Sequence, residues 1–310
     1  MQKPRRINEI YRFPVTGGIC ILSLVVTLAA WSGKLDQNLL VENYRVWHGQ
    51  PWRLLTSTLL HANFIHLAFN LYWTWTFGSI VESAFGSLRS GLLILMLGAG
   101  SSAAEYAFGV GGVGLSGVGY GLFGFLWALG RYDSRFKEVI DAKTVQLFVG
   151  WFFLCIALTV TQVMPIGNIA HGAGAVLGAG AGYAVSARGS RKALAATSLS
   201  ISLVGILLCS SIFRPKVNFS YYGGWDIGRA GYDAMMAGDD KLALLYLTEA
   251  TKYRGIDSSC WYNLGITEQR LGNYPEAMSS YKRAILLNPL SKEYGEAARN
   301  LDSYLHSTHQ

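Results

Sequence analysis

Seven apolar stretches constrain the fold of this chain more than any other feature of its sequence. Each has about the 20 residues that a helix needs to cross a bilayer, and a spanning segment must satisfy its own backbone hydrogen bonds, as a helix does. Of the 310 residues, 51% are hydrophobic and only 15% are charged. The sequence therefore predicts an all-α fold, with a polytopic membrane bundle of six core spans plus a seventh. The stretches lie near residues 14–32, 57–79, 90–109, 115–131, 144–163, 168–186 and 194–213.

The basic residues indicate a membrane orientation rather than a nucleic-acid partner. The formal net charge is +7, but Lys and Arg fall in short clusters between the apolar stretches. By the positive-inside rule they predict a cytoplasmic N-terminus and, after seven spans, an extracytoplasmic C-terminus. Because further spans follow the first, we expect an uncleaved helix there rather than a signal peptide. The clusters are Arg5 and Arg6; Arg131, Arg135, Lys137 and Lys143; and Arg188, Arg191 and Lys192.

The loop of residues 33–56 is long and amphipathic. It carries Trp47, Trp52 and Arg53 beside apolar residues, a mixture that suits the headgroup level of a bilayer. We expect this loop to lie in the membrane interface. The alternative is a simple extracellular connector.

After residue 213 the composition becomes polar and helical. Residues 214–224 are predicted to be a linker and 225–310 a separate domain with an internal repeat at an offset of 34 residues. The second copy resembles the tetratricopeptide repeat, which implies a small α-helical solenoid of two repeats with a capping helix over 291–306. Such solenoids bind proteins or peptides, although this one could instead pack on its own membrane domain. The matched pairs are Gly231 and Gly265, Gly238 and Gly272, Ala243 and Ala277, Leu247 and Tyr281, and Ala250 and Ala284.

A glycine-rich loop leads into the fourth stretch and places Ser116 at the start of a helix. Glycines on both sides let other groups approach the hydroxyl, and the free N–H groups of a helix start can hold an oxyanion. Ser116 is therefore a candidate nucleophile. The alternative is that this small-residue run only packs helices together.

Two further stretches carry polar residues that could complete such a site. His66 and Asn70 lie four residues apart, on one face of a helix, and both can donate hydrogen bonds to an oxyanion; alternatively they join helices together. His171 precedes Gly174 and Gly178 on one stripe. Packing that stripe on the glycines of the fourth stretch would bring His171 to Ser116 as a general base.

No acidic residue within the spans is placed by sequence to complete a triad, so a Ser–His dyad is expected. Tyr120, one turn after Ser116, would support the imidazole ring. Four cysteines without metal-ligand spacing predict neither zinc nor a disulfide framework.

Together, these motifs resemble the rhomboid intramembrane serine proteases over about residues 40–190. The resemblance implies that Ser116 is the nucleophile, His171 the base, and His66, Asn70 and the Ser116 N–H the oxyanion hole. It also implies no metal or cofactor, and substrates that are single-span membrane proteins. The domains expected are 1–213 (membrane protease, core 40–190), 214–224 and 225–310. The motifs are Trp52-Arg53, His61-x4-His66-x3-Asn70, Gly114-x-Ser116-Gly117-x2-Tyr120-Gly121 and Ala170-His171-x2-Gly174-x3-Gly178.

Three functions are compatible with this sequence. The first is an intramembrane serine endopeptidase in a bacterial inner membrane, whose repeat domain recruits substrates or partners. The second is a catalytically silent rhomboid-like scaffold that binds client membrane proteins; the intact Ser and His argue against it. The third, a transporter, is disfavoured because the sequence lacks repeated halves and buried acidic residues in its core spans.

Overall fold

Helices provide all the regular secondary structure in the described part of the chain. A computed structural model describes residues 7–47, 49–219, 224–253 and 256–308. Arg5 and Arg6, which contributed to the predicted orientation, lie outside these residues. The chain divides into two compact units, Met1–Asn218 and Phe219–Gln310. The predicted all-α class, a helical bundle followed by helical repeats, is confirmed.

In the described part of the first unit, seven long helices overlap the seven predicted stretches. By length and composition alone, α1, α3, α5 and α7 are apolar enough to cross a membrane. The other three carry the glycines and the polar candidate residues. The helices are α1 (Pro14–Trp31), α2 (Phe64–Phe85), α3 (Ser87–Phe108), α4 (Ser116–Tyr132), α5 (Ala142–Val160), α6 (Asn168–Ser186) and α7 (Gly189–Ser210).

The start of α2 lies later than predicted. The sequence placed the span at 57–79, but the helix begins at Phe64 because Asn63 caps it, its side chain accepting the N–H of His66 at 2.9 Å. Residues 53–59 form two separate short helices, Arg53–Thr56 and Ser57–Leu59. His66 therefore lies in the first turn of α2, close to the loop that precedes it.

The helix that begins at Ser116 lies at the centre of the first unit. Nearly all of α4 is buried, and it packs on α2, α3 and α6. Glycine and small residues let the neighbouring backbones come close, while larger side chains fill the remaining space. The apolar core around α4 includes Phe77, Leu97, Leu122, Leu126, Phe148 and Leu177.

Arg53, one of the residues on which the expected interfacial position of the 33–56 loop rests, is buried within the protein. Its side chain is only 2% exposed, and its guanidinium donates to the carbonyls of Asn38 at 2.7 Å and Val41 at 2.8 Å. A buried guanidinium must find such acceptors. Arg53 thus holds the two ends of the 33–56 loop together, whereas Trp52 is about half exposed and the Trp47 side chain lies outside the described part.

Buried acidic residues do occur in the spans, so that argument against a transporter was wrong. Glu82 in α2 is 4% exposed, and its carboxylate accepts the N–H groups of Val15 at 3.1 Å and Thr16 at 2.8 Å. These N–H groups belong to the first turn of α1, where a negative charge is favourable. Glu82 therefore joins α2 to α1.

The segment that follows α7 is packed on the first unit. The Arg214 guanidinium lies 3.9 Å from the centre of the Tyr106 ring and donates to the Gly109 carbonyl at 3.2 Å. Asn218 donates to the same carbonyl at 2.6 Å. The predicted linker 214–224 is thus packed as far as Asn218; residues 220–223 lie outside the described residues, and the exact domain boundaries stay a prediction.

The second unit consists of two helix pairs and a final helix. Gly238 and Gly272 hold equivalent positions after the first helix of each pair, and both have φ of +80°, a conformation that favours glycine. The matched residues Ala243, Leu247, Ala277 and Tyr281 are at most 2% exposed. The helices are α8 (Trp225–Met236), α9 (Asp240–Ala250), α10 (Ser258–Arg270), α11 (Tyr274–Leu287) and α12 (Lys292–Thr308).

Candidate active site

The helices α4 and α6 cross in direct backbone contact. A Cβ atom added to Gly174 would meet the carbonyl of Gly117, and one added to Gly178 would meet the carbonyl of Gly121. Only glycine permits this approach. The crossing brings together the two glycine stripes that the sequence analysis singled out.

Ser116 and His171 both lie at one end of this crossing. Ser116 is the first residue of α4 and is half-buried. His171 is in the first turn of α6 and is 4% exposed. A Cβ on Gly117 would lie 3.4 Å from the carbonyl of Ala170. The pairs Ser116–Gly117 and Ala170–His171 are thus neighbours across the interface.

Tyr120 lies directly against the imidazole of His171. The two ring centres are 4.7 Å apart, with an angle of 20° between the ring planes. The Tyr120 hydroxyl donates to the carbonyl of Phe148 at 3.0 Å, which fixes the ring. Nδ1 of His171 is buried without a hydrogen-bond partner among the residues that the structure describes. Packing on Tyr120, not a carboxylate on Nδ1, therefore orients this imidazole.

His66 lies against the loop that precedes Ser116. A Cβ on Gly114 would lie 2.8 Å from Nε2 of His66, and Gly114 has φ of +111°, so both space and backbone conformation require glycine here. The N–H of Ala62 points to Nδ1 of His66 at 3.4 Å, which leaves Nε2 to carry the ring proton in a neutral imidazole. Asn70 is 4% exposed and donates through Nδ2 to the carbonyl of His66 at 3.0 Å.

His61 has a structural position that its place in the motif did not reveal. Its Nε2 accepts the N–H of Leu115 at 3.3 Å. Its Nδ1 lies 3.4 Å from the hydroxyl of Ser23 and 3.3 Å from that of Thr27. Both hydroxyls donate to the carbonyl of Leu59 at 2.9 Å, so they are free to accept from Nδ1–H. His61 thus ties the residue before Ser116 to α1.

Glu105 is a second intramembrane acid that the sequence analysis overlooked. It lies in α3, is 5% exposed, and its Oε2 accepts the N–H of Ala170 at 2.9 Å. It holds the first turn of α6 rather than the ring of His171, so among the described residues no acid completes a triad. The sequence did contain an indication of this residue, since a glutamate within an apolar stretch is itself a candidate functional residue.

Glu42 also contacts the glycine-rich loop, from the 33–56 loop. Its Oε1 accepts the hydroxyls of Ser57, at 3.0 Å, and Ser102, and its Oε2 accepts the N–H of Gly112 at 2.8 Å. Burial raises the pKa of this carboxyl to about 7, against the opposing effect of these hydrogen bonds. No pattern in the sequence indicated this contact, which depends on how the loop folds back.

No group of three or more His, Cys, Asp or Glu side chains in the described ranges is placed to hold a metal ion.

The second unit has a cavity of its own, of about 420 Å³. Half of the residues that line it are aromatic or acidic. They include Trp225, Tyr232, Tyr262, Tyr294, Asp257 and Glu293.

Comparison with known proteins gives matches for both units. Residues 48–188 match the rhomboid domain and residues 258–289 the tetratricopeptide repeat. The chain is also 28% identical to the rhomboid protease GlpG of Haemophilus influenzae over 164 residues, which are 51% of this chain and 83% of that protein. In this membrane protein, a region that matches the rhomboid domain is therefore followed by a region that matches the tetratricopeptide repeat.

Proposed function

We propose that this chain is an intramembrane serine endopeptidase in which Ser116 is the nucleophile and His171 the general base. The observation that carries the proposal is the stacking of Tyr120 on His171, 4.7 Å between ring centres, at the end of the α4–α6 crossing where Ser116 lies. The likeness to a rhomboid protease supports the same reaction.

In this mechanism the Ser116 hydroxyl attacks the carbonyl carbon of a peptide bond. His171 takes the hydroxyl proton and later gives it to the amine that leaves. An acyl-enzyme on Ser116 remains, and a water molecule hydrolyses it with His171 again acting as base. Nδ1 of His171 has no partner among the described residues, which supports a dyad rather than a triad.

His66, Asn70 and the Ser116 N–H would hold the oxyanion. The geometry of His66 supports this role, because its Nε2 faces the loop before Ser116 and carries the ring proton. No side chain within the described part caps α4, so its first N–H groups remain available to a ligand. Loss of one such donor costs about a hundredfold to a thousandfold in rate.

The substrates proposed are single-span membrane proteins. The enzyme would lie in the inner membrane of a bacterium, with its N-terminus in the cytoplasm and its repeat domain on the other side. That domain would recruit substrates or partners through the aromatic cavity lined by Trp225, Tyr262 and Tyr294, since solenoid surfaces are binding surfaces.

The test is cleavage of a single-span reporter by purified protein in liposomes, with labelling by a fluorophosphonate as a second readout. Wild type should cleave and be labelled. Ser116→Ala should lose both activities, and His171→Ala should lose cleavage. Gly119→Ala serves as the folded control, because a Cβ there meets nothing within 4 Å.

A folded wild-type protein that neither cleaves the reporter nor is labelled by the fluorophosphonate would contradict the proposal. The alternative, a scaffold without catalysis, would then be favoured.

Recruitment is tested separately by Asn263→Arg in the cavity wall, which should slow cleavage of a native full-length substrate but not of a short reporter. Ser279→Arg, on an exposed part of α11, is the matched control.

A further inference from the structure

The loop between α3 and α4 is held at three of its residues by groups from other parts of the first unit. The N–H of Gly112 is bound by Glu42, the N–H of Gly114 donates to the Ser57 carbonyl at 3.3 Å, and the N–H of Leu115 donates to His61. These residues lead directly to Ser116. Their backbone positions therefore determine where the Ser116 hydroxyl and N–H point.

Glu42 controls more than one of these contacts. It binds Gly112 directly, and it accepts the hydroxyl of Ser57 at 3.0 Å, whose carbonyl holds Gly114. It also accepts the hydroxyl of Ser102 in α3. One carboxyl group thus connects both ends of the loop segment 112–114 with α3.

The absence of a side chain at Gly111 leaves room for this carboxyl group. Its φ is +92°, and a Cβ there would lie 2.8 Å from Oε2 of Glu42. A side chain at this position would push the carboxyl away from the Gly112 N–H. The close approach of Gly111 and the Gly112 N–H connect Glu42 of the 33–56 loop with the loop before Ser116. The hydroxyls of Ser57 and Ser102 hold the same carboxyl group in place.

We propose that Glu42 is a positioning residue that sets the loop 111–115, and through it the Ser116 nucleophile and its oxyanion donors. The inference rests on the proposed protease function. Glu42 does not itself meet the reacting atoms; it acts by fixing backbone N–H groups. A shift of about 1 Å in such a loop costs about a hundredfold in rate.

Glu42 can act this way because both of its carboxyl oxygens accept hydrogen bonds. Oε1 receives two hydroxyls and Oε2 receives a backbone N–H. Replacing it by leucine would remove the acceptor of the Gly112 N–H and leave the hydroxyls of Ser57 and Ser102, which lie 3.1 Å apart, to bond to each other. Replacing it by glutamine would preserve an acceptor for Gly112, because the amide can place its NH2 towards the two hydroxyls, which can rotate to accept.

The experiment compares Glu42→Leu and Glu42→Gln with Glu82→Leu in the full-length protein. Glu82 is the matched control: it is also a buried, multiply bonded glutamate, but it holds the start of α1. For each variant, kcat, KM, the rate of fluorophosphonate labelling and the melting temperature are measured, and rates are expressed per folded molecule.

We expect Glu42→Leu to lower kcat and the labelling rate by about tenfold to a hundredfold, with KM changed less than about twofold. Glu42→Gln should recover most of the lost rate. Glu82→Leu should lower the melting temperature while its folded molecules keep wild-type kcat. If Glu42→Leu does not fold, Glu42→Asp replaces it, because the shorter side chain cannot reach all three donors together.

Normal kcat and labelling in folded Glu42→Leu would overturn the inference. So would equal losses in the Glu42 and Glu82 variants, which would indicate a structural role only. These results differ from failure of the proposed function itself, in which wild type would show neither cleavage nor labelling.

Discussion

Both units of this chain pack helices at glycines, but the glycines meet different partners. In the membrane unit, Gly174 and Gly178 face the backbone carbonyls of Gly117 and Gly121 in α4. In the repeat unit, the nearest atom to a Cβ on Gly231 would be Cγ of Leu247, and on Gly265 a ring carbon of Tyr281, both at 2.6 Å. One interface is backbone on backbone, and the other is backbone on side chain.

This difference has a physical consequence. A carbonyl in the middle of a helix cannot move without moving the helix, whereas a side chain has other rotamers. The membrane interface therefore fixes the separation of α4 and α6, and with it the positions of Ser116 and His171. The repeat interface tolerates different partners, which is why Leu247 and Tyr281 can hold equivalent positions.

The largest effect is expected at the membrane crossing. Gly178→Ala should destabilise the membrane unit by about 3 kcal/mol or more, because the added methyl meets the Gly121 carbonyl. Thermal unfolding in detergent measures this, with Gly119→Ala as the control. A variant as stable and active as that control would mean that the two helices are not in backbone contact.

The second prediction compares buried carboxyls in the two units. The pKa of Glu42 is raised to about 7 from 4.5, so the folded protein keeps a proton that the unfolded chain loses. Stability therefore falls as pH rises from about 4.5 to about 7, by at most about 3 kcal/mol for a shift of this size. Above that window this contribution is constant.

Glu42→Gln does not titrate and should show less of this loss. The measurement is the melting temperature of both proteins from pH 4.5 to 8; parallel curves would contradict the assigned pKa.

Burial also raises the pKa of Glu268 in α10, which within the described residues accepts one side-chain hydrogen bond, from Ser280 at 2.7 Å. Glu268→Gln should thus change the pH dependence in the same direction.

The third prediction tests the tolerance of the repeat interface. Gly265→Ala should destabilise the second unit by about 1–3 kcal/mol through overpacking, less than Gly178→Ala does in the membrane unit, because the Tyr281 ring can turn aside. Gly228→Ala is the control, since its Cβ would lie 3.5 Å from Sγ of Cys260, an ordinary contact. A loss as large as that of Gly178→Ala would remove the distinction between the interfaces.

The smallest effect is expected for the hydroxyl of Tyr120. Tyr120→Phe removes its hydrogen bond to the Phe148 carbonyl but keeps the ring on His171, so stability should fall by about 1 kcal/mol and kcat by only a few fold. Tyr120→Leu, which also removes the stacked ring, should lower kcat further. Equal kcat values for the two variants would show that stacking does not orient His171.

Much of the fold was predictable because local patterns carry it. Apolar length located the seven long helices, and the glycine stripes of α4 and α6 identified their contact. Repeat spacing located the helix pairs of the second unit. The start of α2 was missed, because the Asn63 cap overrides an apolar pattern that continues back to residue 57.

The site was predictable only in part. Recognisable motifs contain all five candidate residues, which are Ser116, His171, His66, Asn70 and Tyr120. The roles of these residues in catalysis stay a prediction. The contacts of Arg53, Glu42 and Glu105 were not foreseen. Glu42 and Glu105 bind backbone N–H groups 70 and 65 positions away in the sequence, and the contacts of Arg53 depend on how the 33–56 loop folds back on itself.

The sequence by itself determined which segments become helices and which of them carry glycine stripes, because hydrophobic length and small residues act locally. Only the tertiary structure decided where the buried carboxylates lie. A buried carboxylate must find donors, and the free N–H groups at the starts of α1 and α6 and in the loop before α4 exist as targets only once the helices have packed.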